Sequence, residues 1–251
     1  FVARSPIGLK VASALRKQDV IEHAKERLKL VCPATIMGDI GVLRGVLKYA
    51  PSAWDDCANV SDACITAAMP FLLKHDYVGK STPRTRVPTD EEKAALVAHF
   101  KIPPKKKVRS FIYAMPDIIE FALESTRRIS EICRIDRVKD IDLTRTDDAG
   151  NPAPVYRVRN MKDPKRRDKE KWFPLYPELA AILFRQPDHP TDTRFFPFNA
   201  KSVGAKYTLA KKALGIENLH FHDSRRRGIT ERLKTMTPHQ VRHFFSGHDS
   251  V

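Results

Sequence analysis

Apolar positions recur at helical spacing along the first eighty residues. In KQDVIEHAKERLKLV, Val20, Ala24, Leu28 and Val31 share one face. In PATIMGDIGVLRGVLKYA, which opens on Pro33, Ile36, Ile40, Leu43 and Leu47 do the same. A third helix is expected in SDACITAAMPFLLKHDYV, interrupted at Pro70, where a proline removes a helix hydrogen bond and crowds the preceding turn. Residues 1–80 are therefore expected to form a small helical bundle. The pattern lapses in VGKSTPRTRVPTDEEK, which carries Gly79, Pro83 and Pro88 and no apolar period, so residues 81–88 read as a linker. Thr89 then reads as the cap of a new helix, with Asp90, Glu91 and Glu92 in its first turn.

From residue 89 to 251 the pattern is mixed. PDIIEFALESTRRISEICRI predicts one long, largely buried helix. VKDIDL and VYRVRNMK read as strands joined by the turn-rich TRTDDAGNPAP, and KWFPL as a third strand across the charged turn DPKRRDKE. Further helices are expected at PELAAILFR, SVGAKYTLAKKALG, SRRRGITERLK and TPHQVRHFFSG, the last opening on Thr237-Pro238 and stopping at Gly247. The fold class expected is mainly α with a small antiparallel sheet: a helical domain followed by a mixed α/β domain.

Composition adds a partner to this picture. The 251 residues hold 45 Lys and Arg against 30 Asp and Glu, a net charge of +15, which points to a polyanion and most often to nucleic acid. A hydrophobic content of 42% with only 10 glycines describes a globular chain rather than a fibrous or disordered one. No apolar run approaches the ~20 residues of a membrane helix, and no signal peptide opens the chain. Phe1 is not an initiator methionine, so a fragment, or the ordered part of something longer, is expected. Cys32, Cys57, Cys64 and Cys133 show no paired spacing, which suits reduced thiols rather than a zinc site. The run PPKKKVRS has the look of a nuclear-import signal, but Lys105, Lys106 and Lys107 read better as part of a DNA-binding surface.

Candidate chemistry centres on arginines. Three of them, Arg225 to Arg227, stand where a helix is expected to open, and cations near a helix start cost roughly 0.3–1 kcal/mol each. Helical counting puts Arg225 on the side of Ile229 and Leu233, Arg227 four residues before Glu231 as an exposed ion pair, and Arg226 between them. Upstream, Arg128 shares a face with Phe121, Ser125 and Ile132, whereas Arg127 lines up with Glu120 and Glu131. Either inward arginine alone reads best as the partner of a buried carboxylate, Glu131 for Arg128. Two together, beside histidines in a very basic chain, favour an anion site, to which a helix start at Asp223–Ser224 adds free backbone N–H groups.

The order R-I-S-E (Arg128 to Glu131), a lysine in a β-hairpin, H-D-S-R (His222 to Arg225) and G-H (Gly247-His248) resembles the tyrosine recombinases, or phage integrases. The resemblance covers the region after the linker, about two thirds of the chain, and the helical region before it looks like the family's core-binding domain. It implies that a tyrosine hydroxyl attacks a DNA phosphodiester, leaving a 3′-phosphotyrosyl link that a 5′-hydroxyl later reverses, with neither ATP nor a metal. Arg128 and Arg225 would hold the non-bridging oxygens and Glu131 would support them. His222 and His248 would position the phosphate or assist proton transfer, and Lys162 would protonate the leaving 5′-oxygen. Lys165 and Lys169 share the hairpin and read first as a solvated basic turn. Lys165, Arg166 and Arg226 join Lys105, Lys106 and Lys107 as candidate DNA contacts.

The partners implied are a duplex recombination site and three further copies of the chain, a homo-tetramer, away from any membrane. The implied location is a bacterial cytoplasm, at the nucleoid. Two departures stand out. Arg226 occupies a position where many members have histidine, and none of the six tyrosines matches the nucleophile, which the family places shortly after the G-H histidine. Tyr207 is the last tyrosine, so the nucleophile is expected beyond Val251 and cleavage by these residues alone is not. The rival readings are an integrase-like protein that binds DNA without cutting it, a type IB topoisomerase, and a metal-dependent nuclease. The last is disfavoured by having only Asp223 and Asp249 near the histidines.

Overall fold

The computed structural model describes residues 2–101, 114–161 and 168–247. They divide into two compact units, one ending at Arg84 and the other beginning at Thr85, a division inside the stretch expected as a linker. Among the described residues no helix is long and apolar enough to cross a membrane.

The first unit is built on α1 (Lys17–Leu28), α2 (Pro33–Ala53) and α3 (Ala63–Lys74), preceded by short 3₁₀ turns. Its core is the predicted apolar faces brought together: Val20 and Ala24, Ile36, Ile40, Leu43 and Leu47, and Ile65, Ala68 and Leu72 are all buried. Arg27 and Arg44 pair with Asp39 and Asp62 at 2.8 and 2.7 Å. The expected interruption at Pro70 does not occur, and α3 runs straight through it. Pro70 and Thr66, whose carbonyl loses its helix partner, both lie on the exposed side, where water can replace that bond.

The second unit carries α4 (Asp90–Lys101), α5 (Met115–Ser125), α6 (Ile129–Ile132), α7 (Pro177–Phe184), α8 (Ala200–Ala213), α9 (Phe221–Arg232) and α10 (Pro238–Val241). Its sheet is small and antiparallel, in the order β1 (Ile141–Asp142), β2 (Val155–Val158), β3 (Lys171–Pro174), with Tyr156 opposite Ile141 and Phe173. Asp140, almost wholly buried, receives Arg157 at 3.0 Å and Arg159 at 2.8 Å and thereby pins β2. Helices α5, α7, α8 and the sheet enclose a core that includes Phe121, Tyr156, Phe173, Phe196 and Tyr207.

The long helix expected from 116 to 135 is broken in two. Ser125 turns its hydroxyl back to the carbonyl of Phe121 and accepts the Arg127 N–H at 3.2 Å. Thr126 then adopts a left-handed conformation (φ 55, ψ 28), and α6 restarts after Arg128. Side-chain hydroxyls that compete with backbone bonds end helices in this way. The break resets the helical phase, so counting across it mis-assigns the faces of Arg127 and Arg128.

Helix α9 crosses α5 closely at Gly228, where an added Cβ would fall 2.1 Å from the Leu123 carbonyl oxygen and 3.0 Å from Thr126 Cγ2. Backbone oxygen cannot give way as a flexible side chain does. Gly228→Ala is therefore expected to destabilise the unit by about 2 kcal/mol or more, within or above the usual cost of overpacking. Chemical denaturation checks this, and an unchanged midpoint would contradict the close crossing.

Candidate active site

The turn Thr126-Arg127-Arg128 and the first two turns of α9 form the site. Helix α9 begins at Phe221, earlier than the predicted start at Asp223–Ser224, and its N-cap is His220. Asp223 is buried and accepts the backbone N–H of His220 at 2.8 Å, so its carboxylate serves the helix end. Arg225 thus sits in the second turn, beyond the reach of most of the helix-end repulsion. The buried face of α9 is Phe221, Ser224, Arg225 and Gly228, at helical spacing. The predicted companions differ: Ile229 is only half-buried and Leu233 is exposed.

Arg225 is 3% exposed. Its Nη1 donates to the Thr126 carbonyl at 2.6 Å and its Nη2 to the Ser246 carbonyl at 3.0 Å. Nη1 also lies 3.8 Å from Glu131 Oε2. Burial, then the charges of Arg127 and Arg128, lower its pKa to about 10, so it remains a cation at neutral pH. Arg128 donates from Nη1 to Glu131 Oε1 at 2.8 Å, and its backbone N–H to Oε2 at 3.0 Å. Glu131, 2% exposed, is held below the usual carboxylate range. Burial opposes ionisation, and the charge of Arg127 with the bonds from Arg128 outweighs it. One carboxylate therefore holds the Arg128 guanidinium and lies 3.8 Å from that of Arg225, which comes from an element almost a hundred residues on.

His222 sits at the exposed edge of the first turn of α9. Partial burial, then Arg225 and Arg128, lower its pKa, leaving a neutral imidazole at neutral pH. Arg226 is half-buried, with no carboxylate at ion-pair distance among the described residues. Arg227 corrects the sequence reading: it donates to the Pro88 carbonyl at 2.9 Å and pairs with Asp90, while Glu231 pairs with Lys234. Arg127 corrects it further. Expected beside Glu120, it is wholly buried, and Glu120 instead receives Arg185. Arg128 keeps a side chain 24% exposed, so of this pair it is the one open to a ligand. The reset of phase at Thr126, invisible to a periodicity count, is why both were misread.

Lys162, Lys165, Arg166, His248 and the Lys105–Lys107 cluster lie outside the described residues. Met161 N–H donates to the Lys169 carbonyl at 2.8 Å, closing the ladder at the hairpin end. Thr237 caps α10 through Gln240, and a π-helical turn, Arg242–Ser246, follows and ends at Gly247 with φ 66. A Cβ at Gly247 would fall 2.7 Å from Met161 Cε and 2.9 Å from Phe173 Cζ, so glycine is needed there twice over. Phe245 secures this turn, stacked on Tyr176 with centroids 5.5 Å apart and beneath Arg232 at 4.2 Å. Among the described residues no three His, Cys, Asp or Glu side chains are grouped so as to hold a metal ion.

No family model matches the sequence. The chain is 24% identical, over 99% of its length and 73% of the other's, to a Haemophilus influenzae protein assigned by its name as an integrase/recombinase. Among solved structures it resembles the Tn1549 transposon integrase in complex with transposon right end DNA (TM-score 0.65, 16% identity, 99% of this chain and 82% of that one). It also resembles a lambda integrase dimer bound to a core site (TM-score 0.56, 12% identity, 95% of this chain and 63% of that one).

Proposed function

We propose that this chain, which has the fold of the tyrosine recombinases, is a site-specific DNA recombinase of the integrase type. The observation that carries the reading is the convergence of Arg128 and Arg225 on the buried carboxylate of Glu131, with His222 near both cations, in a chain of net charge +15. Two cations against one carboxylate leave an excess of positive charge, open to a ligand through Arg128, whose side chain is 24% exposed. Arg128 is the open member and Arg225 the fixed one. A phosphodiester set there would gain charge on its non-bridging oxygens as a nucleophile adds, and groups already fixed stabilise that change without reorganising.

The chemistry is bond exchange. The oxygen of a tyrosine bonds to phosphorus while the bond from phosphorus to the 5′-oxygen breaks, and the leaving oxygen takes a proton. A 5′-hydroxyl from a partner strand reverses both changes. His222, neutral at working pH, can accept the phenol proton or hold the phosphate. Lys162 and His248 complete the set as leaving-group acid and phosphate ligand. Four protomers on two duplex sites are the assembly we assign to the exchange.

Duplex affinity is expected to fall steeply with salt, because each phosphate contact releases condensed cations. A log–log slope corresponding to several contacts is the result sought, each contributing about −0.9. Fluorescence anisotropy with a labelled duplex reads it. Affinity nearly constant from low to moderate salt would remove DNA as the partner.

A further inference from the structure

Arg127 is a cation at the site for which the reaction above has no use, and it is the largest fully buried side chain described. Its Nε donates to the Ser125 carbonyl at 3.1 Å, and its guanidinium lies over the ring of Phe173, 3.8 Å from the centroid. Neither Nη1 nor Nη2 has a hydrogen-bond partner among the described residues. An arginine does not shed its proton in a folded protein, so this is a permanent charge held out of water, an arrangement that costs stability unless a nearby anion compensates. The anion next to it along the chain is Glu131, itself buried and one short helical turn on.

We propose that Arg127 is a positioning residue for the anion site: packed against Phe173 of β3, its guanidinium keeps Glu131 the carboxylate that holds Arg128 and lies 3.8 Å from Arg225. The geometry gives Glu131 a double task, with Oε1 taking Arg128 and Oε2 facing Arg225 and the Arg128 N–H. A protonated Glu131 would turn one oxygen from acceptor to donor and release a guanidinium. Burial pushes it in that direction, and the charge of Arg127 is the largest influence opposing it. The groups facing Glu131 from the elements packed on it are Arg127 and Arg128 from the turn, Arg225 from α9 and Tyr156 from β2. Only Arg127 among the three cations is sealed from solvent entirely, so its charge is the least screened by salt or by bound DNA.

The proposal rests on the recombinase reading for its purpose, but its test does not. Glu131 is followed by carbon-13 NMR of the glutamate carboxyl in the chain without DNA, in wild type, Arg127→Met, Arg127→Gln and Arg127→Lys. Both neutral variants should move the Glu131 titration midpoint upward, because a carboxylate loses an attracting cation. Arg127→Lys, which keeps the charge, should hold it near the wild-type value. The acid limb of duplex binding should move upward with the midpoint. Arg127→Met keeps an apolar chain that can still lie on Phe173, and circular dichroism should find it folded at the temperature of the titration. Should it fail to fold, Arg127→Gln decides the matter. An unchanged midpoint in the neutral variants, or an equal shift in Arg127→Lys, would overturn the proposal and leave Arg127 a packing residue. Failure of the wild type to bind duplex DNA would sink the recombinase reading while leaving the Glu131 titration standing.

Discussion

Arg225→Ala is expected to reduce strand cleavage by the complete reading frame at least about 10³-fold, at the upper end of what losing one fixed transition-state donor costs. Duplex affinity should stay within a few-fold, since the charge that forms during reaction is what Arg225 is placed to meet. The substitution also removes the donor shared by the Thr126 and Ser246 carbonyls and one of the cations facing Glu131, so some stability will be lost with it. Circular dichroism at the assay temperature separates the two effects. Arg225→Lys gives a second control: it keeps charge and bulk but cannot reproduce two directed bonds to separate carbonyls, and should remain defective. Arg227→Ala, two residues on, loses only the Pro88 carbonyl and an Asp90 that is 82% exposed, a change worth at most about 1 kcal/mol. Cleavage by that variant should remain within a few-fold of wild type. Equal defects at 225 and 227 would refute the division of labour among the three arginines.

That division shows what a one-dimensional pattern can and cannot carry. The inward turn of Arg225 was legible from helical counting along unbroken α9, although Ile229 and Leu233, the apolar residues it was counted from, are half-buried and exposed. Its companions were not, because the close face of α9 is made by Gly228, a residue with no hydrophobicity to count. The three strands and the turn from β1 to β2 were legible from alternation and turn residues, and the pairing of Arg128 with Glu131 from their spacing. The break at Thr126 was not, since it depends on a serine hydroxyl choosing a backbone partner and on a left-handed residue other than glycine. Arg127 and Arg128 exchanged their expected burial as a direct consequence. Likewise, Pro70 read as an interruption because its exposed placement, which makes the missing bond harmless, is a tertiary fact.

Residues Phe1–Val251 are expected to bind duplex DNA and yet form no covalent adduct with it, because no tyrosine among the described residues is placed to attack. Tyr156 and Tyr207 are each 1% exposed, and burial raises the pKa of both phenols, to about 12 for Tyr207, which weakens them as nucleophiles besides hiding them. Tyr176 is taken up in the stack on Phe245, and its phenol pKa is likewise raised by burial. Tyr49 and Tyr77 belong to the first unit, remote in sequence from every site residue, and Tyr113 lies outside the described residues. Arg128, Arg225 and His222 can polarise a phosphate, but none supplies an oxygen that stays bonded to it. Water so activated would release both products and leave at most slow hydrolysis. A nicked suicide duplex run on a denaturing gel distinguishes these outcomes, since a covalent complex migrates with the protein and a hydrolysed strand does not. A shifted band from these residues would mean that one of the six tyrosines is the nucleophile, and phenylalanine substitution of each in turn would identify it.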